Sequence, residues 1–220
     1  MIPLSQQSRS ATQKVRDFLS FPLRAFIMFG GIDRWGLTSL ASERYDYVAR
    51  RVIGYCLDVG CGPYNRFITV FLHGYGCGID VFPYEGLFHE HLLEDPTRFP
   101  FDDGQFDSAT FIASLNHIPT SLRDAELAEA YRCLRAGGNI VVTSPNPFAS
   151  ILVHRVVHTY DRLFGTTYDI DTQRGMHVEE TYYVTDREIH ERLARAGFMR
   201  ITKKYFRTQW CFNHLFIGWK

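Results

Sequence analysis

The chain has 220 residues, 45% of them hydrophobic, enough to bury one substantial core and consistent with a single domain. Its 24 basic and 24 acidic side chains cancel, so no basic excess points to nucleic acid as a partner. The five cysteines, Cys56, Cys61, Cys77, Cys133 and Cys211, are odd in number and hold no C-x-x-C pair, which argues against a disulfide framework or a zinc site and for reduced thiols in a cytoplasmic setting.

The leader, Met1 to Ser10, is polar and reads as no secretory signal. Residues 14 to 29 read as a helical stretch broken near Pro22. The apolar run from Val15 to Ile32 includes Asp17, Pro22 and Arg24, and falls short of the roughly 20 uninterrupted apolar residues that a spanning helix needs. It can still cover a hydrophobic pocket or make peripheral contact with a membrane through residues 15–35, where Phe18, Phe21, Phe26, Phe29 and Trp35 cluster and Arg16, Arg24 and Arg34 would meet headgroups. Without a strong basic face, the cover is the preferred reading. Gly30-Gly31 punctuates the chain, and Ser39 to Val52 reads as a second helix.

The run Cys56-Leu57-Asp58-Val59-Gly60-Cys61-Gly62-Pro63 reads as a short buried strand ending in a glycine turn, with an acid just before the glycines. Gly60 and Gly62 lack a Cβ, so the backbone can turn sharply and let a ligand lie against the main chain. A helix over Asn65 to Leu72 is expected to aim its free N–H groups at that turn. The NAD pattern G-x-G-x-x-G is broken, because Asn65 stands where the third glycine belongs. A carboxylate at Asp58 would repel a pyrophosphate but suits an ammonium group.

L-D-V-G-C-G-P resembles motif I of the class I S-adenosylmethionine (SAM)-dependent methyltransferases, of the type 11-like kind. The resemblance continues downstream at family spacing. Cys77-Gly78-Ile79-Asp80-Val81 looks like the second strand. Glu94 to Asp107 is similar to the family's D-x-x-x-L-P-F-x-x-x-x-F-D stretch. Ser108 to His117 looks like the fourth strand and its exit, and Tyr131 to Val142 like the helix, glycine turn and fifth strand that follow. The resemblance implies an α/β fold, a three-layer doubly wound Rossmann-like sheet, mostly parallel with a terminal antiparallel strand. It implies a helical cap or lid over residues 1–48 and a SAM-binding domain over 49–220. By the same likeness Asp58 lies near the methionine amino group, and Gly60, Cys61 and Gly62 form the cofactor loop. Asp80, with Val81, takes the ribose hydroxyls; Asp95, with Pro96, takes the adenine amino group; Ile112, on strand four, is a further cofactor-binding residue. The family often has glycine where Tyr64 stands.

Further along, Ser121 with Asp124 is expected to cap a helix that Gly137 closes. The segment of about 146–184 is too long for a plain connection and reads as a substrate-contacting insertion, with an expected amphipathic helix and the polar cluster His177, Glu179, Glu180, Tyr182 and Tyr183. Within it His154 and His158 share a helix face, but no acid completes an H-E-x-x-H metal site; they read as ordinary histidines, as His89-Glu90-His91 reads as a solvated loop. No metal is expected. Thr185-Asp186-Arg187-Glu188 is a capping box, and Arg200 to Phe206 with His214 to Trp219 suggests a hairpin.

The function expected is methyl transfer from SAM, giving S-adenosyl-L-homocysteine, to a small or lipophilic acceptor, with oxygen the first choice of atom and carbon or nitrogen open. His117, at the exit of strand four, can take a proton from a substrate hydroxyl or can simply cap the turn into Pro119. The alternative is a SAM-binding regulatory or scaffolding protein without transferase activity.

Overall fold

The structure is a computed structural model that describes residues 9–28, 33–146, 159, 162, 163, 165 and 184–220. The strands are β1 (Cys56–Val59), β2 (Gly76–Ile79), β3 (Phe106–Ile112), β4 (Leu134–Pro145), β5 (Met199–Tyr205) and β6 (Asn213–Trp219). They form one sheet in the order β2-β1-β3-β4-β6-β5. The first four run parallel, and β6 is antiparallel to both its neighbours. All four residues of β1 are buried, the pattern of a strand covered on both faces.

The helices are α1 (Ala11–Leu19), α2 (Phe21–Ile27), α3 (Leu40–Ala49), α4 (Thr120–Cys133) and α5 (Asp186–Arg195). Two apolar clusters cover the two faces of the sheet. One joins Phe111, Leu127, Ile189 and Leu193; the other joins Val48, Phe67, Val141 and Ile217. Three layers result, as expected. The capping box holds, with Thr185 Oγ1 accepting from Glu188 N–H at 3.2 Å. No described helix is long and apolar enough to cross a membrane.

Several local expectations differ. The strand opened by Phe106 is the third in chain order, because an isolated bridge between Asp80 and Leu92 stands where another strand would precede it. The helix expected from Asn65 is instead a 3-10 turn, Pro63–Asn65, and a π turn, Phe67–Phe71. Helix α4 starts at Thr120 without a side-chain cap, since Asp124 binds Arg192 and Arg195 across to α5. That helix runs straight into β4, so Gly137, at φ +77°, lies within the strand and does not close the helix. His91 is drawn inward, its Nε2 lying 3.4 Å from Cys77 Sγ. His154, His158, His177, Glu179, Glu180, Tyr182 and Tyr183 lie outside the described residues.

The expected break near Pro22 falls at Ser20, and Pro22 takes an early position in α2 where its missing N–H costs no bond. These helices dock on the tip of the β5–β6 hairpin. The Phe21 ring lies 5.4 Å from Trp210 and 5.5 Å from Phe212, and Trp210 Nε1 donates to Phe18 O at 2.9 Å. Arg24 is fully buried, so it cannot face headgroups. Its Nη1 binds Glu43 Oε2 at 2.8 Å, and its Nη2 donates to the carbonyls of Asp17 and Thr208. Arg9 binds Asp17 and Glu43, each at 2.7 Å, and Asp46 at 2.9 Å. Phe18 and Trp35 are exposed, while the Phe26 side chain and Phe29 lie outside the described residues.

Candidate functional site

The carboxyl ends of β1, β2 and β3 converge on the glycine turn. Gly60 takes φ +75°, and a Cβ there would come within 2.5 Å of Ser114 Cβ, so both conformation and space require glycine. The N–H groups of Gly60 and Cys61 donate to Ile79 O at 2.9 and 3.1 Å, tying the turn to β2. Ser114 Oγ donates to Val59 O at 2.8 Å, tying it to the exit of β3.

Tyr64 adopts φ +60°, a conformation that glycine takes freely. Glu85 holds it there: Tyr64 N–H donates to Glu85 O at 2.6 Å and Tyr64 Oη to Glu85 Oε2 at 2.5 Å. The loop keeps the backbone sense of a glycine-bearing loop with a tyrosine at this position. It also breaks the helix expected next, because Asn65, at φ +45°, is left-handed too.

Asp80 is buried and firmly held. Its Oδ2 accepts from Gly62 N–H at 3.0 Å and its Oδ1 from Phe82 N–H at 3.1 Å. Asp58 lies deeper, with Oδ1 accepting from Thr110 Oγ1 at 2.7 Å. Burial pushes its carboxyl up to about 7; the Thr110 bond opposes this and the Asp80 charge adds to it.

A cavity of about 390 Å³ opens beside this turn, within the usual range for small-molecule sites. Of the residues singled out in the sequence, Gly60, Asp80, Val81, Pro96 and His117 line it together. Asp58, Cys61, Gly62, Asp95 and Ile112 do not reach its lining. Cys61 is buried in the turn, with its thiol pushed up by burial. Ile112 packs against the cluster on the α3 side of the sheet. Asp95 is exposed, and its Oδ1 accepts from Thr97 N–H at 2.8 Å and Thr97 Oγ1 at 2.6 Å, which lowers its pKa and makes it a turn-forming acid.

His117 sits in the short turn Leu115–His117 after β3, with its N–H donating to Ser114 O at 2.9 Å. The sequence reading missed Glu126, which also lines the cavity and is 4% exposed. By type it looks solvent-facing, like its neighbour Glu129 on α4, but Leu122, Glu126 and Ala130 recur every four residues along one stripe. That spacing was the available signal. Among the described residues no group of three or more potential metal ligands gathers.

A family model described as a methyltransferase domain matches residues 32–203. No curated protein matches the sequence. Among solved structures, a SAM-dependent methyltransferase from Thermotoga maritima, described as a possible histamine N-methyltransferase, aligns at TM-score 0.59 and 16% identity, covering 94% of this chain and 98% of its own. The 1,6-didemethyltoxoflavin-N1-methyltransferase of Burkholderia thailandensis, solved with 1,6-didemethyltoxoflavin and S-adenosylhomocysteine, aligns at TM-score 0.55 and 14% identity, covering 99% of this chain and 93% of its own. A SAM-dependent methyltransferase from Archaeoglobus fulgidus aligns at 0.55 and 15%, covering 80% and 94%.

Proposed function

The chain belongs to the methyltransferase domain family, and on that premise we propose that it methylates a small, lipophilic acceptor, with a hydroxyl oxygen as the favoured atom. It is a SAM-dependent methyltransferase, and S-adenosyl-L-homocysteine is its product.

The observation that carries the cofactor assignment is the meeting of Gly60 and Asp80 at one cavity wall, with Asp58 behind them. Bound there, SAM supplies a methyl group already activated by its sulfonium, so the chain's own work is positioning and exclusion of water. The two backbone N–H groups on Asp80 fix its carboxylate and leave further acceptor capacity for ribose hydroxyls. Asp58 is an acid with no basic side chain bound to it among the described residues, and a methionine ammonium group would supply the missing positive charge. In this reading Gly62 and Cys61 shape the loop, Val81 and Pro96 pack on the nucleoside, and Ile112 supports the exit of β3.

His117 is assigned to take the proton of an acceptor hydroxyl as the methyl is transferred. The helices of residues 1–48 are assigned to cover the acceptor side, since they sit on the hairpin tip at the carboxyl edge of the sheet. The small molecules named for two of the fold matches agree in kind with a small acceptor.

The test is S-adenosylhomocysteine production from SAM against matched phenol, amine and carbon-acid acceptors, with mass spectrometry of the product. Methylation of hydroxyls is expected. Transfer to amines alone would overturn the choice of atom, and transfer only to protein or nucleic acid would overturn the acceptor class. His117→Ala is expected to lower turnover about a hundredfold with S-adenosylhomocysteine affinity nearly unchanged. A drop in stability without loss of turnover per folded molecule would make it a turn residue.

A further inference from the structure

With Asp95 turned to solvent and occupied by Thr97, the acid expected at the adenine amino group is not at the cavity. The cavity nevertheless holds a carboxyl group among apolar side chains. Leu93, Pro96, Ile118 and Leu122 line it together with Glu126 of α4. Glu126 is 4% exposed, and among the described residues no hydrogen-bond or ion-pair partner meets its carboxyl group. Burying such a group without a partner costs free energy on the order of 1–3 kcal/mol or more, which a ligand that pairs with it would recover.

The charged and titratable groups around it come from every neighbouring element. Asp80 stands at the end of β2, Glu94 on the loop that follows, and His117 after β3. On α4 itself, Arg123 is committed to Ile118 O and Glu188, and Arg132 to Glu129 and Asp103. No lysine or arginine lines the cavity among the described residues. Burial, with the Asp80 charge adding to it, pushes the Glu126 carboxyl up to about 8, so the group is mostly protonated at neutral pH. A protonated carboxyl both donates and accepts. A largely apolar ligand whose edge carries an amino donor beside a ring-nitrogen acceptor matches this set of groups, and adenine is such a ligand.

We propose that Glu126 reads the adenine edge of the methyl donor, its carboxyl group accepting from the 6-amino group and donating to the adjacent ring nitrogen. The inference rests on SAM occupying this cavity. Glu126 thereby takes the role that the likeness to the family gave to Asp95, and cofactor recognition moves from a surface loop to a rigid helix.

The experiment is a cycle between protein and ligand, read by titration calorimetry. Wild type, Glu126→Gln and Glu126→Leu are each titrated with S-adenosylhomocysteine, with its analogue lacking the 6-amino group, and with its 2′-deoxy analogue. Wild type is expected to lose about tenfold in affinity when the amino group is removed, the size of one buried hydrogen bond. Glu126→Leu is expected to bind S-adenosylhomocysteine at least tenfold more weakly and to be indifferent to the amino group. Glu126→Gln, whose amide offers the same donor and acceptor, should stay within about threefold of wild type and keep the discrimination. It should also lose the decline in affinity that wild type shows as pH rises past about 8, because the carboxyl loses its donor proton there and the amide does not. The proposal is overturned if Glu126→Leu keeps wild-type discrimination, or if the coupling appears with the 2′-hydroxyl instead. Should Glu126→Leu not fold, a Glu126→Gln protein with the same decline above pH 8 as wild type overturns it as well. If wild type does not bind S-adenosylhomocysteine at all, the reading of the cavity falls and this inference falls with it. If it binds and no coupling is seen, only the role of Glu126 falls.

Discussion

Asp17 and Glu43 beneath the N-terminal helices, and Asp58, Asp80 and Glu126 around the cavity, are all buried acids of one small fold. The first pair is met by two arginines, Arg9 and Arg24, and by Gln209 and the Thr208 hydroxyl on the hairpin. The second set is met by backbone N–H groups, a threonine hydroxyl or nothing, and by no cation among the described residues. Burial alone therefore does not tell a structural acid from a functional one; the presence of a counter-charge does. The paired acids fasten three chain segments together. The unpaired acids hold an unmet demand, for hydrogen-bond partners and at Asp58 for positive charge, that a ligand can satisfy.

The sharpest way to break this contrast is to remove one charge from the paired set. Arg24→Met is expected to cost about 3–5 kcal/mol in urea unfolding, because it leaves Glu43 short of a partner and strips the Thr38, Asp17 and Thr208 carbonyls of a donor. A loss below about 1 kcal/mol would mean that the Arg9 ion pairs and the Phe21–Trp210 packing hold the N-terminal helices without Arg24.

Asp58→Asn tests the unpaired set, and the sign should be reversed. The folded-state pKa of Asp58 is raised to about 7, above its value of roughly 3.9 in an unfolded chain. The folded state thus binds the extra proton between those values, so the favourable contribution is full below about pH 4 and is lost as pH rises through 7. Free of that titration, the asparagine variant should gain on wild type by up to a few kcal/mol in unfolding free energy between pH 5 and 8 without ligand, while its affinity for SAM falls. Wild type should also release a proton on binding SAM near pH 7, seen as a buffer-dependent binding enthalpy. Equal enthalpies in phosphate and Tris would remove Asp58 from contact with the ammonium group.

Asp80→Ala should weaken S-adenosylhomocysteine binding by about 1.5–3 kcal/mol, because the ribose loses its acceptor and Gly62 loses the partner that fixes the loop. The variant should stay close to wild type in stability, unlike Arg24→Met. Normal binding would mean that the ligand does not use the end of β2.

What the sequence could reveal follows the same division. Gly60, Asp80, the Thr185 cap and the β5–β6 hairpin were legible because each is set by a few neighbouring residues or by strand alternation. The place of Asp95 was not, since a local turn to Thr97 competed successfully for its carboxylate. Glu126 left only the faint local signal of its four-residue spacing from Leu122 and Ala130, and Arg24 left none: it is an ordinary surface residue by type, and its burial depends on contacts from distant parts of the chain. For Arg24 the decisive partners, Glu43 and Thr208, lie 19 and 184 residues away.

The smallest effect is expected at Tyr64, where the chain departs from the family's glycine. Tyr64 already holds a backbone conformation that glycine adopts freely, and its side chain is largely exposed with its hydroxyl on Glu85. Tyr64→Gly should leave the loop path intact and change S-adenosylhomocysteine affinity by less than about threefold, since relief of the left-handed strain offsets the loss of the Glu85 contact. Gly60→Ala provides the control. It asks for the same left-handed backbone with a Cβ that meets Ser114, so it should disturb both folding and binding. A Tyr64→Gly protein that binds ten times more weakly would mean that the Tyr64–Glu85 pair shapes the cofactor loop actively, and that this turn relies on a side chain where its relatives rely on backbone freedom.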